Sequence, residues 1–209
     1  MKIENIIQTG WSCYQNKVAS GLLAPENEKM MQLQISQILQ SLSTIFEYHA
    51  RESIKILLEV PVVIKEDVFR SIDIVISHSI DNNITNYPIE IKCFRLKTRE
   101  GKAFRGAQNL GMYDYWEDIE NIENYAKLEN YATGYQLTLT DDPYYVDTAH
   151  KGPQVRVYST YRNRSKVTGI LEKSIANRSG KIEIVGEYIM SGWANIKDFF
   201  FICQKYTGK

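Results

Sequence analysis

Three side chains carry most of the chemistry legible in this sequence. Asp73 sits in the stretch Arg70-Ser71-Ile72-Asp73-Ile74-Val75-Ile76, and Glu90 and Lys92 sit in Pro88-Ile89-Glu90-Ile91-Lys92. Both stretches are apolar enough to be buried, and charge set among Ile and Val is costly unless it is paired or coordinates a metal. In strands, side chains alternate faces, so Glu90 and Lys92 share one face while Ile89 and Ile91 share the other. Asp73 likewise points opposite Ile72 and Ile74. Two acids and a lysine therefore converge at one end of a strand pair. Carboxylate oxygens from Asp73 and Glu90 suit Mg²⁺, which binds through one or two carboxylates, several waters and substrate phosphate. A lysine beside them can hold or activate an attacking water and offset the charge that builds on phosphorus in the transition state. A structural ion pair across neighbouring strands would account for the same residues.

The elements that must position these residues follow from periodicity. Residues 27–56 carry Met31, Ile35, Ile38, Leu39, Leu42, Ile45 and Phe46 at the spacing of one helical face. Pro25, Glu26 and Glu28 suit its start, where carboxylates meet the positive end of the helix dipole. The period then changes: 56–64, 71–77 and 87–94 are short runs rich in Val and Ile, read as three strands with turns at 67–70 and 81–86. A helical period returns over 104–131, with Leu110, Tyr113, Trp116, Ile119, Ile122 and Ala126 on one side. Its aromatic residues read as core or subunit interface rather than a base-stacking platform, and Asp114 and Asp118 as surface or interface charges. A fourth strand over 134–140 closes on Thr140-Asp141-Asp142-Pro143. The expected fold is α/β, a mixed central sheet flanked by helices. With no repeat or linker visible, residues 1–209 read as one domain: a core over about 26–140 and a basic C-terminal extension over about 150–209, with further elements at 181–188 and 198–203.

With Asp73 and the tripeptide Glu90-Ile91-Lys92, 17 positions on, in strands that follow a helix, the chain resembles the PD-(D/E)xK nuclease superfamily, which includes the type II restriction endonucleases. Ile72 stands where the motif's proline would be. The resemblance covers about residues 26–140 and implies a restriction-endonuclease-like core and a Mg²⁺-dependent endonuclease, with Mn²⁺ able to substitute. Asp73, Glu90 and the Ile91 carbonyl would hold the metal and Lys92 would assist the water. Members of the superfamily add acids from the first helix and first strand, which here are Glu28 and Glu59; Glu47 and Glu52 compete for the helix role. A helix-dipole carboxylate would equally account for Glu28. Gln108 is the candidate polar residue from the helix after the third strand. DNA is the implied substrate in a restriction or phage-defence role, and cutting both strands implies a homodimer, through the aromatic helix over 113–131. The alternatives are a non-catalytic nucleic-acid-binding module on the same fold, or a structure-specific repair nuclease or an RNA nuclease.

The chain has 209 residues, 44% of them hydrophobic, which excludes a disordered tail protein because burial can outweigh chain entropy. No apolar run approaches the roughly 20 residues that cross a bilayer. The first ten residues lack the apolar core of a secretory signal, so a cytoplasmic protein is expected. Cys13, Cys93 and Cys203 are scattered and read as structural thiols; His49, His78 and His150 lack zinc-ligand spacing; nucleophile elbows and phosphate-cradling glycine loops are absent.

The formal net charge of +0 conceals segregation, since residues 92–105 carry a local +5, 151–181 a local +7 and 117–130 a local −4. The basic segments are either solvated faces or phosphate grips, the candidates being Arg95, Lys97, Arg99, Lys102, Arg105, Arg156, Arg162, Arg164 and Lys166. The tract over 155–166, which mixes cations, hydroxyls and aromatics, suits phosphate and base contacts, or a polar strand edge.

Overall fold

The computed structural model describes residues 2–65, 68–96, 107–149, 153–175 and 177–208. The chain begins with a helix that the sequence reading did not assign, α1 (Lys2–Ala19), whose Ile3, Ile6, Ile7, Trp11, Tyr14 and Val18 are buried. These positions recur every three or four residues, the pattern of a helix with one core-facing stripe. The second helix, α2 (Glu28–Phe46), starts where Asn27 Oδ1 accepts the Met30 N–H at 2.9 Å. It ends ten residues before the expected limit of 56. There Glu47 Oε1 accepts the Ile54 N–H at 2.6 Å and Glu52 Oε2 the Tyr48 N–H at 2.9 Å, so side chains turn the backbone into the first strand.

Three antiparallel strands follow, β1 (Glu52–Lys65), β2 (Val68–Ile80) and β3 (Asn83–Phe94). The β2–β3 connection is tighter than the expected 81–86. Only Asp81 and Asn82 form it, both with positive φ (49° and 68°), as a two-residue hairpin loop of the primed type requires. The helix α3 (Gln108–Tyr125) then crosses to β4 (Gly134–Thr140), which runs parallel to β3. Beyond it come a short helix α4 (Pro153–Tyr158), the hairpin β5 (Val167–Glu172) and β6 (Lys181–Tyr188), then β7 (Ala194–Ile196) and β8 (Phe199–Tyr206). Among the described residues the main sheet runs β1-β2-β3-β4-β8-β7, with β5-β6 as a separate pair. The stretch expected as a C-terminal extension thus completes the sheet, because β8 lies against β4.

Helices cover both faces of this sheet. Helices α1 and α2 pack on Ile74, Ile76, Ile89, Ile91, Leu137 and Leu139. On the other face α3 packs with the β5-β6 pair and with Phe200 and Ile202 of β8. Every residue of β4 is buried, as expected for a central strand in a parallel pair. The aromatic stripe of α3 is core: Tyr113, Tyr115, Trp116 and Tyr125 are at most 1% exposed. The expectation of a dimer through this helix is therefore corrected, since one chain already uses that surface. No described helix is long and apolar enough to cross a membrane.

The distance of α3 from the sheet is set at Gly134, where an added Cβ would lie 2.2 Å from Ile122 Cγ2. Because Ile122 is β-branched and buried, it cannot swing aside. Gly134→Ala is expected to lower stability by about 1–3 kcal/mol in urea unfolding. Adding Ile122→Ala should recover part of that loss, so the double variant costs less than the two singles summed.

Candidate active site

The β2–β3 ladder pairs Ile74 with Ile89, and beyond that pair the strands part. In place of a backbone acceptor, Asp73 Oδ2 takes the Ile91 N–H at 2.9 Å. The N–H and C=O of one strand residue point to the same side, so the Ile91 carbonyl faces this gap too. Glu90 enters from β3, is 5% exposed, and lies in the field of the Asp73 carboxyl. Its Oε1 accepts the Tyr125 hydroxyl of α3 at 2.8 Å.

Lys92 follows on the same face. Its Nζ lies 2.9 Å from Asp118 Oδ2 of α3 and 3.5 Å from Glu28 Oε2 of α2. Asp118, expected at the surface, is instead buried beneath the lysine, whereas its neighbour Asp114 is half-buried and forms a two-pronged pair with Arg178 at 2.7 and 3.0 Å. The physical reason is helix geometry: Asp118 falls beside the Trp116–Ile119–Ile122 stripe, and only a cation on β3 makes its burial tolerable.

Glu59 sits on β1, level with Asp73 and between the pairs Leu58–Ile74 and Val60–Ile72, at φ 52°. Left-handed backbone in a non-glycine residue breaks the ladder there. The Asp73 carbonyl takes the Gln32 Nε2–H at 2.6 Å, and the same nitrogen lies 2.6 Å from Glu59 Oε1. Lys29 pairs with Glu59, and Ser71 Oγ donates to Oε2 at 3.3 Å. Glu59 thus flanks Asp73 through Gln32, one helical turn after Glu28 on α2.

The charges around Lys92 do not balance. Asp118, Glu28 and Glu90 lie around the Lys92 ammonium, and Asp73, beside Glu90, lies in the field of Lys29. Burial, with the charges of Asp118 and Asp73 added, pushes the Glu90 carboxyl well above the usual range. Burial also raises Asp118 to about 7 against the pull of Lys92. Glu28 moves up for the same reason, moderated by Lys92. For Lys92, burial works against the ammonium, but the fields of Asp118, Glu28 and Glu90 outweigh it and hold the proton on Nζ. Glu59 moves the other way, held low by Lys29 and Gln32.

Among the described residues no three His, Cys, Asp or Glu side chains are grouped to hold a metal ion by themselves. What Asp73, Glu90 and the Ile91 carbonyl offer is a partial set of hard oxygens, the kind Mg²⁺ takes when waters and a substrate phosphate complete its shell. A divalent cation between the two acids would also offset the burial and the neighbouring charge that raise the Glu90 carboxyl. The donor set fits that ion.

Other candidates lie elsewhere. Glu47 caps the end of α2, and Glu52 is buried in an ion pair with Lys2 and within hydrogen-bond distance, 2.8 Å, of His78 Nε2. Gln108 Nε2 reaches Asp142 at 3.4 Å. Arg95 pairs with Asp141, Arg162 with Asp147 and Lys166 with Glu187. Arg156 and Arg164 line one pocket. Lys97, Arg99, Lys102 and Arg105 lie outside the described residues. Gln32, Lys29 and Tyr125 join the site without having been named from sequence, and Asp118 joins it from a position read as a surface or interface charge; of the three unnamed residues only Gln32 left a signal, its four-residue spacing from Glu28.

Comparison with family models, with curated proteins and with solved structures found no match.

The upward shifts carry a sign. A carboxyl whose folded pKa lies above its unfolded value binds more protons when folded, so its contribution to stability falls as pH rises through that interval. In metal-free buffer, stability should therefore decline from about pH 4 to about pH 7 as Asp118 ionises in the folded state, with Glu90 and Glu28 adding in the same direction. Asp118→Asn should flatten part of that decline, read as urea midpoints from pH 4 to 8. Equal slopes in the two proteins would mean that Asp118 is ionised throughout.

Proposed function

We propose that this chain is a Mg²⁺-dependent endonuclease hydrolysing DNA phosphodiester bonds, on the core of the PD-(D/E)xK superfamily and in a restriction or phage-defence role. One observation carries the reading: where β2 and β3 part, the Asp73 carboxylate caps Ile91 and meets Glu90, with Lys92 two residues on along β3. The order α2-β1-β2-β3-α3-β4, with β4 parallel to β3, agrees with it.

In this reading Asp73, Glu90 and the Ile91 carbonyl hold Mg²⁺, which supplies positive charge against the negative charge building on the scissile phosphate. Lys92, kept protonated by Asp118 and Glu28, acts as a donor. Its Nζ orients the attacking water in line with the leaving 3′ oxygen and offsets charge on the phosphoryl oxygens, leaving a 5′ phosphate. Tyr125 fixes the Glu90 carboxyl, and Gln32 fixes the backbone that carries Asp73. Cutting both strands takes two such sites, so the working form is a homodimer built on a surface other than the aromatic face of α3.

The test is cleavage of unmodified and modified plasmid and phage DNA with Mg²⁺ or EDTA, beside single-stranded, branched and RNA substrates. Discrete double-strand fragments with Mg²⁺ are expected, slowed about 100-fold or more in Asp73→Ala and Lys92→Ala. Preference for branched DNA or RNA would keep the chemistry and change the role. No cleavage in Mg²⁺ or Mn²⁺, with DNA still bound, would make the chain a binding module.

A further inference from the structure

A second site lies away from the carboxylates. A polar pocket of about 540 Å³ is lined by Arg156, Arg164, Ser159, Ser165, Tyr161 and Asn163. Arg51, Arg95, Arg162 and Arg178 each pair with a carboxylate. Arg156 and Arg164, by contrast, have no acid partner among the described residues, and they share this cavity.

Arg164 is the more informative of the two. It is half-buried, its guanidinium carbon 5.5 Å from the centroid of the Trp116 ring. One Nη donates to the Ser159 carbonyl at 2.7 Å. Burial weakens its hold on the proton with no neighbouring carboxylate to oppose the shift. A partly desolvated guanidinium with most of its five donors unspent is costly to keep unless an anion completes it.

The backbone presenting these groups is pinned to the core. Trp116 Nε1 donates to the Tyr158 carbonyl at 3.0 Å, and Trp193 Nε1 to the Thr160 carbonyl at 2.9 Å. Thr160 Oγ1 donates to the Tyr145 carbonyl at 2.7 Å, and the Arg162 N–H to the Val146 carbonyl at 3.0 Å. Donors fixed before the ligand arrives lose little freedom on binding.

We propose that this pocket binds phosphate, with the Arg164 fork and the Arg156 cation as its charged donors and the Ser165 and Tyr161 hydroxyls beside them. Two guanidinium groups plus hydroxyls match the several oxygens of a phosphate better than the two of a carboxylate. Of the cations in 151–181, Arg162, Lys166 and Arg178 are paired with Asp147, Glu187 and Asp114, and Arg156 and Arg164 are the ones that face this cavity. The pocket is open and polar, which suits one phosphate of an extended chain. The source is the sugar-phosphate backbone of the nucleic acid, an assignment that rests on the nuclease reading. Trp116, on which Arg164 lies, sits two residues before Asp118 on α3, so the pocket and the Lys92 site are fixed to one helix.

The experiment measures binding without cleavage. Full-length protein in EDTA is titrated against a fluorescein-labelled DNA duplex across a range of NaCl concentrations, and separately heated with and without inorganic phosphate. Arg164→Ala and Arg156→Ala should each weaken duplex binding about 10-fold and reduce the slope of log affinity against log salt by about 1. Arg164→Lys keeps the charge without the fork and should fall between wild type and Arg164→Ala. Because Arg156 is exposed, its variant tests the pocket even if Arg164→Ala folds poorly. Unchanged duplex binding, with inorganic phosphate raising the melting temperature of wild type but not of the arginine variants, would keep the phosphate pocket and assign it to free phosphate. Duplex binding and phosphate response both unchanged in Arg156→Ala and in folded Arg164→Ala would overturn the proposal. Since no step here requires cleavage, a catalytically inert protein that passes this test sinks only the nuclease reading, and an active nuclease that fails it sinks only the pocket.

Discussion

The structure turns on a surplus of negative charge held where two strands part. Four carboxylates, from α2, β2, β3 and α3, gather around the Lys92 ammonium on β3, with Lys29 of α2 the second cation nearby. A buried cation is tolerable here because Asp118 lies 2.9 Å away, and Asp118 is tolerable in the interior for the same reason. Each element around the sheet is therefore constrained by what it must deliver: α2 begins at the site so that Glu28 reaches it, and α3 presses close so that Asp118 and Tyr125 reach β3.

Local irregularities serve that convergence. An uninterrupted β1-β2-β3 ladder would have spent the Ile91 N–H and the Asp73 carbonyl on neighbouring strands. The strands separate after Ile74–Ile89, Glu59 adopts a left-handed conformation, and side chains of Asp73 and Gln32 take over the orphaned backbone groups. Backbone satisfaction is preserved while a carboxylate and a carbonyl are freed to face one another. Gly134 allows α3 to sit close enough to β4 that Tyr125 can hold Glu90.

Periodicity made the middle of the chain legible. The strands around Asp73 and Glu90 and the starts of the helices before and after them lie within about four residues of where alternation and the 3.6-residue repeat place them, whereas α2 ends ten residues and α3 six residues short of the expected limits. The ends of α2 and of the β2–β3 turn were less so, because they are decided by single side chains such as Glu47, Glu52 and Asn82 acting at their own positions. Helix α1 had a clear apolar stripe, but that stretch was weighed only as a signal sequence. Asp118 was misplaced for a different reason: in an acidic, amphipathic helix its type and position match those of a surface charge, and only the tertiary position of Lys92 distinguishes it. The main sheet's outer strands, β8 and β7, follow from long-range pairing, which no local pattern encodes.

A structural ion network and a catalytic one can look alike, and the proposed reading rests on the charge balance. Lys92 with Asp118 would satisfy the interior by itself, and apolar residues of the same volume would do so at lower cost. Glu90 and Asp73 add negative charge that Lys29 and Lys92 offset only in part, and burial together with the charges of Asp118 and Asp73 raises the Glu90 carboxyl well above the usual range. Asp73 takes the Ile91 N–H and Glu90 the Tyr125 hydroxyl, but neutral acceptors would serve those hydrogen bonds without the added charge. A divalent cation in the gap would relieve the repulsion between the two acids, which is the arrangement the proposed reading requires. Residues that break the local rules of a buried strand are expected where function is built, and the gap between β2 and β3 concentrates those departures.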